Sequence, residues 1–159
     1  NLIMTAPVRP FALYAAKFCV VAKMAFLTQI WLLVLFLIGG KLGAGLTGFP
    51  PPEILLWLLR GAVGGLPIIA IQLLLSMVIR NFALPVLMAL GGSILGLMAT
   101  TSNAGLFWPY SLMLMGMNSN RTEDVMTGQL PGFFLSCIIF LAIFLLTADA
   151  VLAKQDVKA

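Results

Sequence analysis

The chain alternates long apolar runs with short clusters of glycine, proline and charge, and the length of each run decides what it can be. From about Met24 to Gly40 the only strongly polar residue is Gln29, and Lys23 and Lys41 bracket the run. Roughly 17 apolar residues in a row is the short end of what a helix needs to cross a bilayer at 1.5 Å per residue. Gly39, Gly40, Gly43, Gly45 and Gly48, followed by Pro50, Pro51 and Pro52, predict a loop leaving the membrane there. The next run, EILLWLLRGAVGGLPIIAIQLLLSMVIR, is too long for one straight crossing. It is predicted to divide at Arg60, because a guanidinium at the bilayer centre is expensive. That gives an interfacial approach over Glu53 to Arg60, with Trp57 at headgroup level, and a span from about Gly61 to Ile79 kinked at Pro67.

Arg80 and Asn81 form a tight connection to a third span, from about Phe82 to Thr101, whose Pro85 is harmless in the first turn. Spans joined so closely pack as an antiparallel hairpin. Gly61 with Gly65, and Gly92 with Gly96, give each a GxxxG face predicted to let the two helices approach one another. The segment from Asn103 to Pro131 begins with the apolar, aromatic GLFWPYSLMLMGM, too short to cross and return, and ends with the polar NSNRTEDVMTGQLPG. It is predicted to dip into the interface or re-enter, with Trp108 and Tyr110 in the headgroup region. A last span covers about Gly132 to Leu152 before the tail AKQDVKA. The architecture is therefore read as all-α and integral to a membrane. It is a single transmembrane domain with helices over 24–40, 61–79, 82–101 and 132–152 and an extracellular or re-entrant loop over 103–131.

Composition agrees. Hydrophobic residues make up 62% of the 159, charged residues 9%, and mean hydropathy is +1.11, against roughly 45–50% apolar and 25% charged in soluble domains. The net charge of +4 is spread along the chain, which argues for cations at span ends and against a nucleic-acid-binding face. With four crossings, Arg9, Lys17, Lys23, Arg80, Lys154 and Lys158 fall on one side and Lys41, Arg60 and Arg121 on the other. The richer side is assigned to the cytoplasm, and both ends of the chain with it. The sequence opens on Asn1 without the basic, apolar and small-residue order of a signal peptide, so an N-terminal part is expected to precede it.

Catalytic chemistry is scarce. There is no histidine, Cys19 and Cys137 sit far apart within apolar runs, and no metal spacing occurs. Gly40-Lys41-Leu42 lacks the other parts of a phosphate-binding loop, so the chain is expected to bind no cofactor and to hydrolyse no ATP itself. Asp149 reads as a boundary residue, and Gln29 and Gln72 read as helix-to-helix hydrogen-bonding groups. Met113, Met115 and Met117 read as adaptable apolar filling, and Asn120-Arg121-Thr122 as a chance sequon.

Thr5-Ala6-Pro7-Val8-Arg9, followed by Tyr14 and Lys17, resembles the segment of ABC-2 type permeases that precedes their third transmembrane helix. Pro7 and Lys17 keep the family's proline-to-lysine spacing, although the usual serine is missing and Pro10 stands where an arginine is common. LLLSMVIRNFALPVLMALGG looks like the family's fourth helix, cytoplasmic turn and fifth helix, and Gly105 to Gly116 resembles its re-entrant helices. FWPYS is similar to permeases of lantibiotic or bacitracin immunity and export. The resemblance implies the C-terminal two thirds of a six-helix permease in a bacterial cytoplasmic membrane. It pairs with a second permease subunit and with an ABC ATPase that holds ATP and Mg. It also implies a cytoplasmic coupling segment over 5–17, a helix lying along the membrane surface before the first span, whose ATPase-coupling residues are Pro7, Val8, Arg9, Phe11, Tyr14 and Lys17. Phe107, Trp108, Pro109 and Tyr110 would form an extracellular gate, and the cargo would be an amphipathic peptide antibiotic, drug or lipid. A non-transporting membrane scaffold or sensor that docks a cytoplasmic partner is the other reading of the same helices.

Overall fold

Nothing between Pro10 and Ile38 can stop a helix: the stretch has no glycine and no internal proline, and is rich in alanine and leucine. In the computed structural model it is one helix, α1 (Pro10–Ile38), ending in a π-helical turn over Gly39–Gly43. The structure describes residues 10–156 apart from positions 46, 49, 103, 120, 122 and 125, with the side chains of 155 and 156 also outside the description. Pro7, Val8 and Arg9 therefore lie outside the described residues, as do Asn120 and Thr122.

Four helices are long and apolar enough to cross a membrane, and they account for the all-α architecture among the described residues. They are α1, α2 (Glu53–Val78), α3 (Ala83–Thr101) and α5 (Leu130–Asp156); a short α4 (Pro109–Gly116) stands before the last, preceded by a 3-10 turn at Gly105–Phe107. The start of α1, the α2–α3 turn and the end of α5 share one end of the bundle, called here the terminal end. The polar loop and α4 mark the loop end.

Two boundaries differ from the sequence expectation. Residues 10–17 are not a separate surface element but the first turns of α1, which places Lys23 within the helix rather than before it. At 1.5 Å per residue, α1's 29 residues run about 44 Å, roughly 14 Å more than a hydrocarbon core, so its Lys17 end reaches the headgroup layer. The second correction is that α2 does not divide at Arg60. It runs unbroken from Glu53 through the buried Arg60 and Pro67, because Arg60 has found a counter-ion, described below.

The centre of the bundle is α2, which packs against α1, α4 and α5, whereas α3 reaches the rest chiefly through α4. At the terminal end Tyr14, Leu74, Ala148 and Leu152 form a buried cluster with Phe11, Leu73, Met77 and Leu145 packed on it. At the loop end Leu112, Met115, Met126, Phe133 and Cys137 form another, flanked by Val63, Leu106 and Phe140. Outside these clusters most large apolar side chains of α1, α3 and α5 are exposed, as expected of faces solvated by lipid rather than water.

Candidate functional site

The site is built around α4, a helix of 8 residues, or about 12 Å, far too short to cross. Pro109 begins it at a position where a missing N–H costs nothing. Trp108, just before it, has extended backbone that turns the chain into the bundle. Ser111, fully buried, lets its hydroxyl reach the carbonyls of Gly105 and Trp108 and so ties the entry turn to the helix.

Glycines on both neighbours make room for it. A Cβ on Gly92 of α3 would stand 2.7 Å from the Tyr110 ring, and one on Gly96 would stand 3.0 Å from the Tyr110 carbonyl carbon. On the other side a Cβ on Gly64 of α2 would stand 2.6 Å from the Leu112 carbonyl oxygen. A Cβ on Gly61 would meet the Met117 side chain, and one on Gly65 only Met113 Sδ at 3.9 Å. The predicted partnership of the Gly61/Gly65 and Gly92/Gly96 faces is thus corrected. The two faces do not meet each other, because α4 is inserted between them. The approach is closest through Gly64, which the i,i+4 spacing did not select, and through Gly116 of α4, whose Cβ would stand 2.6 Å from the Arg60 carbonyl oxygen.

Polar groups carried in with α4 are satisfied by its neighbours. The Trp108 indole N–H donates to the Gly92 carbonyl at 2.9 Å, and Gln72 Nε2 of α2 donates to the Tyr110 hydroxyl. Gln72 thus bonds between helices as the sequence suggests. Gly92 is nine residues from the end of α3, about 14 Å along the helix and close to the middle of a hydrocarbon core some 30 Å thick. Trp108 and Tyr110, expected at headgroup level, therefore sit much deeper, since their polar tips find partners inside the bundle. Phe107 remains 79% exposed, Pro109 is buried, and Tyr110 is buried against α3.

An ion pair closes the loop end. Arg60 is 2% exposed, and its guanidinium donates to both oxygens of Asp124, Nη2 to Oδ2 at 2.7 Å and Nη1 to Oδ1 at 3.2 Å. Asp124 Oδ1 also accepts from the Met126 backbone N–H at 3.0 Å. Arg60 holds the Asp124 carboxyl below the usual carboxylate range against the opposing effect of burial, with help from the Met126 N–H. The Trp57 indole N–H adds a weaker pull, although it makes no hydrogen bond among the described residues. Trp57 is thus half-buried beside this pair rather than free in the interface.

At the terminal end the structure corrects the role expected for Tyr14. It is fully buried, and its hydroxyl donates to the Ala70 carbonyl of α2 at 2.7 Å, so it joins two helices of this chain and offers no face to a partner. Phe11 is half-buried on the same cluster. Lys17 is exposed and available. Among the described residues no three histidine, cysteine or acidic side chains converge on a metal position, and Cys19 and Cys137 are not joined.

The family model described as ABC-2 family transporter protein matches residues 1–96. The chain belongs to this family. The match covers α1, α2 and α3 as far as Gly96, the second glycine against Tyr110, so this ABC-2 permease carries α4, the Arg60 partner Asp124 and α5 beyond the matched residues. No curated protein and no solved structure matches the chain.

Proposed function

We propose that this ABC-2 permease is the membrane-spanning subunit of an ATP-driven exporter in the cytoplasmic membrane of a bacterium. It works beside a second permease subunit, with separate ABC ATPase subunits carrying the ATP and Mg. The observation that carries the proposal is the family match over residues 1–96 in a chain that has no phosphate-binding loop of its own. The chain itself is a transport subunit rather than an enzyme and binds no cofactor. The terminal end is cytoplasmic on this reading. The excess of lysine and arginine at that end supports that side.

Energy enters at Pro7, Val8 and Arg9, with Lys17 and the half-exposed Phe11 completing the surface for the ATPase. The buried Tyr14–Ala70 bond passes displacement of α1 to α2. Because α2 closes on the backbone of α4 at Gly64, α4 moves with it. Close packing of this kind favours rigid-body switching over gradual deformation. Phe107, Trp108, Pro109 and Tyr110 then form the extracellular gate, and an amphipathic peptide antibiotic, drug or lipid is the cargo.

The test is purification of the tagged full-length protein from its own membrane, with transport assayed in vesicles for wild type and for the R9E/K17E double variant. The expected result is a retained ATPase subunit, and a double variant that inserts and melts normally but no longer transports. If no ATPase is retained the subunit assignment fails, and if the double variant transports normally the coupling surface lies elsewhere.

A further inference from the structure

α4 holds α2 and α3 apart at the loop end, and above their connecting turn the two helices leave a gap that no described residue fills. The result is an open cleft of about 660 Å³ between α1, α2 and α3, within the roughly 300–1,000 Å³ usual for ligand sites. Its walls are apolar, formed by Val21, Ile69, Leu73, Val86 and Ala89 among others. Its polar groups sit at the two ends. Gln72, occupied by the Tyr110 hydroxyl, closes the inner end; Ser76 and Arg80 stand at the mouth, beside a Phe82 that is 85% exposed.

We infer that this cleft binds one anionic phospholipid, its phosphate on Arg80 and an acyl chain lying between α2 and α3 as far as Gln72. Charge selects the headgroup: Arg80 is exposed, and among the described residues it has no ion-pair partner and no carboxylate lines the cleft. A guanidinium matches a phosphate with paired hydrogen bonds. Depth selects the chain: Gln72 lies six residues, roughly 9 Å of helix, inside the end of α2 at Val78, and the extended Ile79 carries the chain on to Arg80, against about 15 Å for one leaflet of the hydrocarbon core. An apolar slot of that depth, opening beside a cation at one bilayer face, takes a lipid of that leaflet standing upright. The inference concerns lipid occupancy only and stands whether or not the chain exports anything.

The test is native mass spectrometry of the full-length protein in detergent, titrated with phosphatidylglycerol, phosphatidylcholine or glycerol 3-phosphate. Phosphatidylglycerol is expected to bind at least about fivefold better than phosphatidylcholine, and R80Q to lower its affinity about tenfold, the scale of one lost charge-assisted bond. R121Q, at the other end, should leave the preference intact. Ala89→Phe, which fills the cleft, should lower occupancy by both lipids. Undiminished preference in R80Q overturns the inference, and so does glycerol 3-phosphate competing as well as the whole lipid, which would reduce the site to a surface phosphate contact. A folded A89F protein that binds normally overturns the placement of the chain. If A89F does not fold, the R80Q and glycerol 3-phosphate arms still decide.

Discussion

The two ends of the bundle are held by different physics. At the terminal end three helices meet side chain to side chain, through Tyr14, Leu74, Ala148 and Leu152, and one hydroxyl fixes the register. At the loop end backbone lies on backbone: Gly64 against Leu112, Gly96 against Tyr110 and Gly116 against Arg60, with the Arg60–Asp124 pair closing the assembly. Lipid tails are as apolar as leucine, so within a bilayer close fit and polar bonds, rather than hydrophobic burial, decide which helices associate. The loop end uses both, and it can keep a short helix at mid-depth only because α2 and α3 leave no side chains in its way. The terminal end has side chains able to rearrange around a gap, and it should forgive changes that the loop end does not.

That contrast is broken most directly at Gly64. Gly64→Val puts carbon into the Leu112 carbonyl, where only backbone movement can relieve the clash. We expect it to expel α4 and cost about 3 kcal/mol or more, read as a large fall in thermal midpoint in detergent. The adjacent pair on α3 makes a cleaner comparison. G92A places its methyl 2.7 Å from the Tyr110 ring, whereas a Cβ on Gly91 meets nothing within 4 Å. G92A should cost about 1–2 kcal/mol and G91A should be neutral or slightly stabilising. Equal melting of the two would mean α4 does not rest on this face.

Second to Gly64→Val in size is Asp124→Ala, which leaves Arg60 buried without its counter-charge. Breaking a fully buried pair costs roughly 3–5 kcal/mol. The Asp124 side chain is 31% exposed, so about 2 kcal/mol is the expected loss, after allowing for solvent screening. The double variant R60M/D124A should recover part of it, since an apolar residue in place of Arg60 needs no partner. The pair also sets a pH dependence. Asp124 has its pKa lowered from 3.8 in the folded protein, so its contribution is complete above that value and is lost as pH falls through the lower folded value. Thermal midpoints of wild type should therefore drop more steeply than those of D124N in strongly acidic buffer, and should run parallel to them near neutrality.

Much of the architecture is legible in the chain, and the parts that are not share one cause. Run length alone predicts four crossings and a segment too short to cross, and α3 lies within one residue of its predicted bounds, 82–101 against Ala83–Thr101. Partners are another matter. The spacing of Gly92 and Gly96 says that a helix face is flat, not what lies on it, and the occupant is Tyr110, 14 to 18 residues further along. Arg60 looks like a boundary residue until Asp124, 64 positions away, is known to meet it. Tyr14 is the hardest case. α1 is apolar on every face, so no amphipathic stripe distinguishes an inward tyrosine from an outward one, and only the fold turns its hydroxyl toward Ala70.

Tyr14→Phe is the mildest way to sharpen the comparison. It removes one oxygen and keeps the ring that fills the cluster with Leu74, Ala148 and Leu152. The Ala70 carbonyl it abandons lies within α2, where the helix already supplies an N–H four residues on, so no buried acceptor is orphaned. Hydrogen bonds between membrane helices average about 0.6 kcal/mol, and a loss near that figure is expected, a shift of a degree or two in melting. A loss several times larger would mean that the terminal end depends on this bond as strictly as the loop end depends on Gly64. The effect on transport should be out of proportion to stability, since the hydroxyl is the polar tie between the start of α1 and α2. Vesicle uptake that falls severalfold while the melting point barely moves would place Tyr14 in the transmission of movement, and an equal, small change in both would leave it as packing alone.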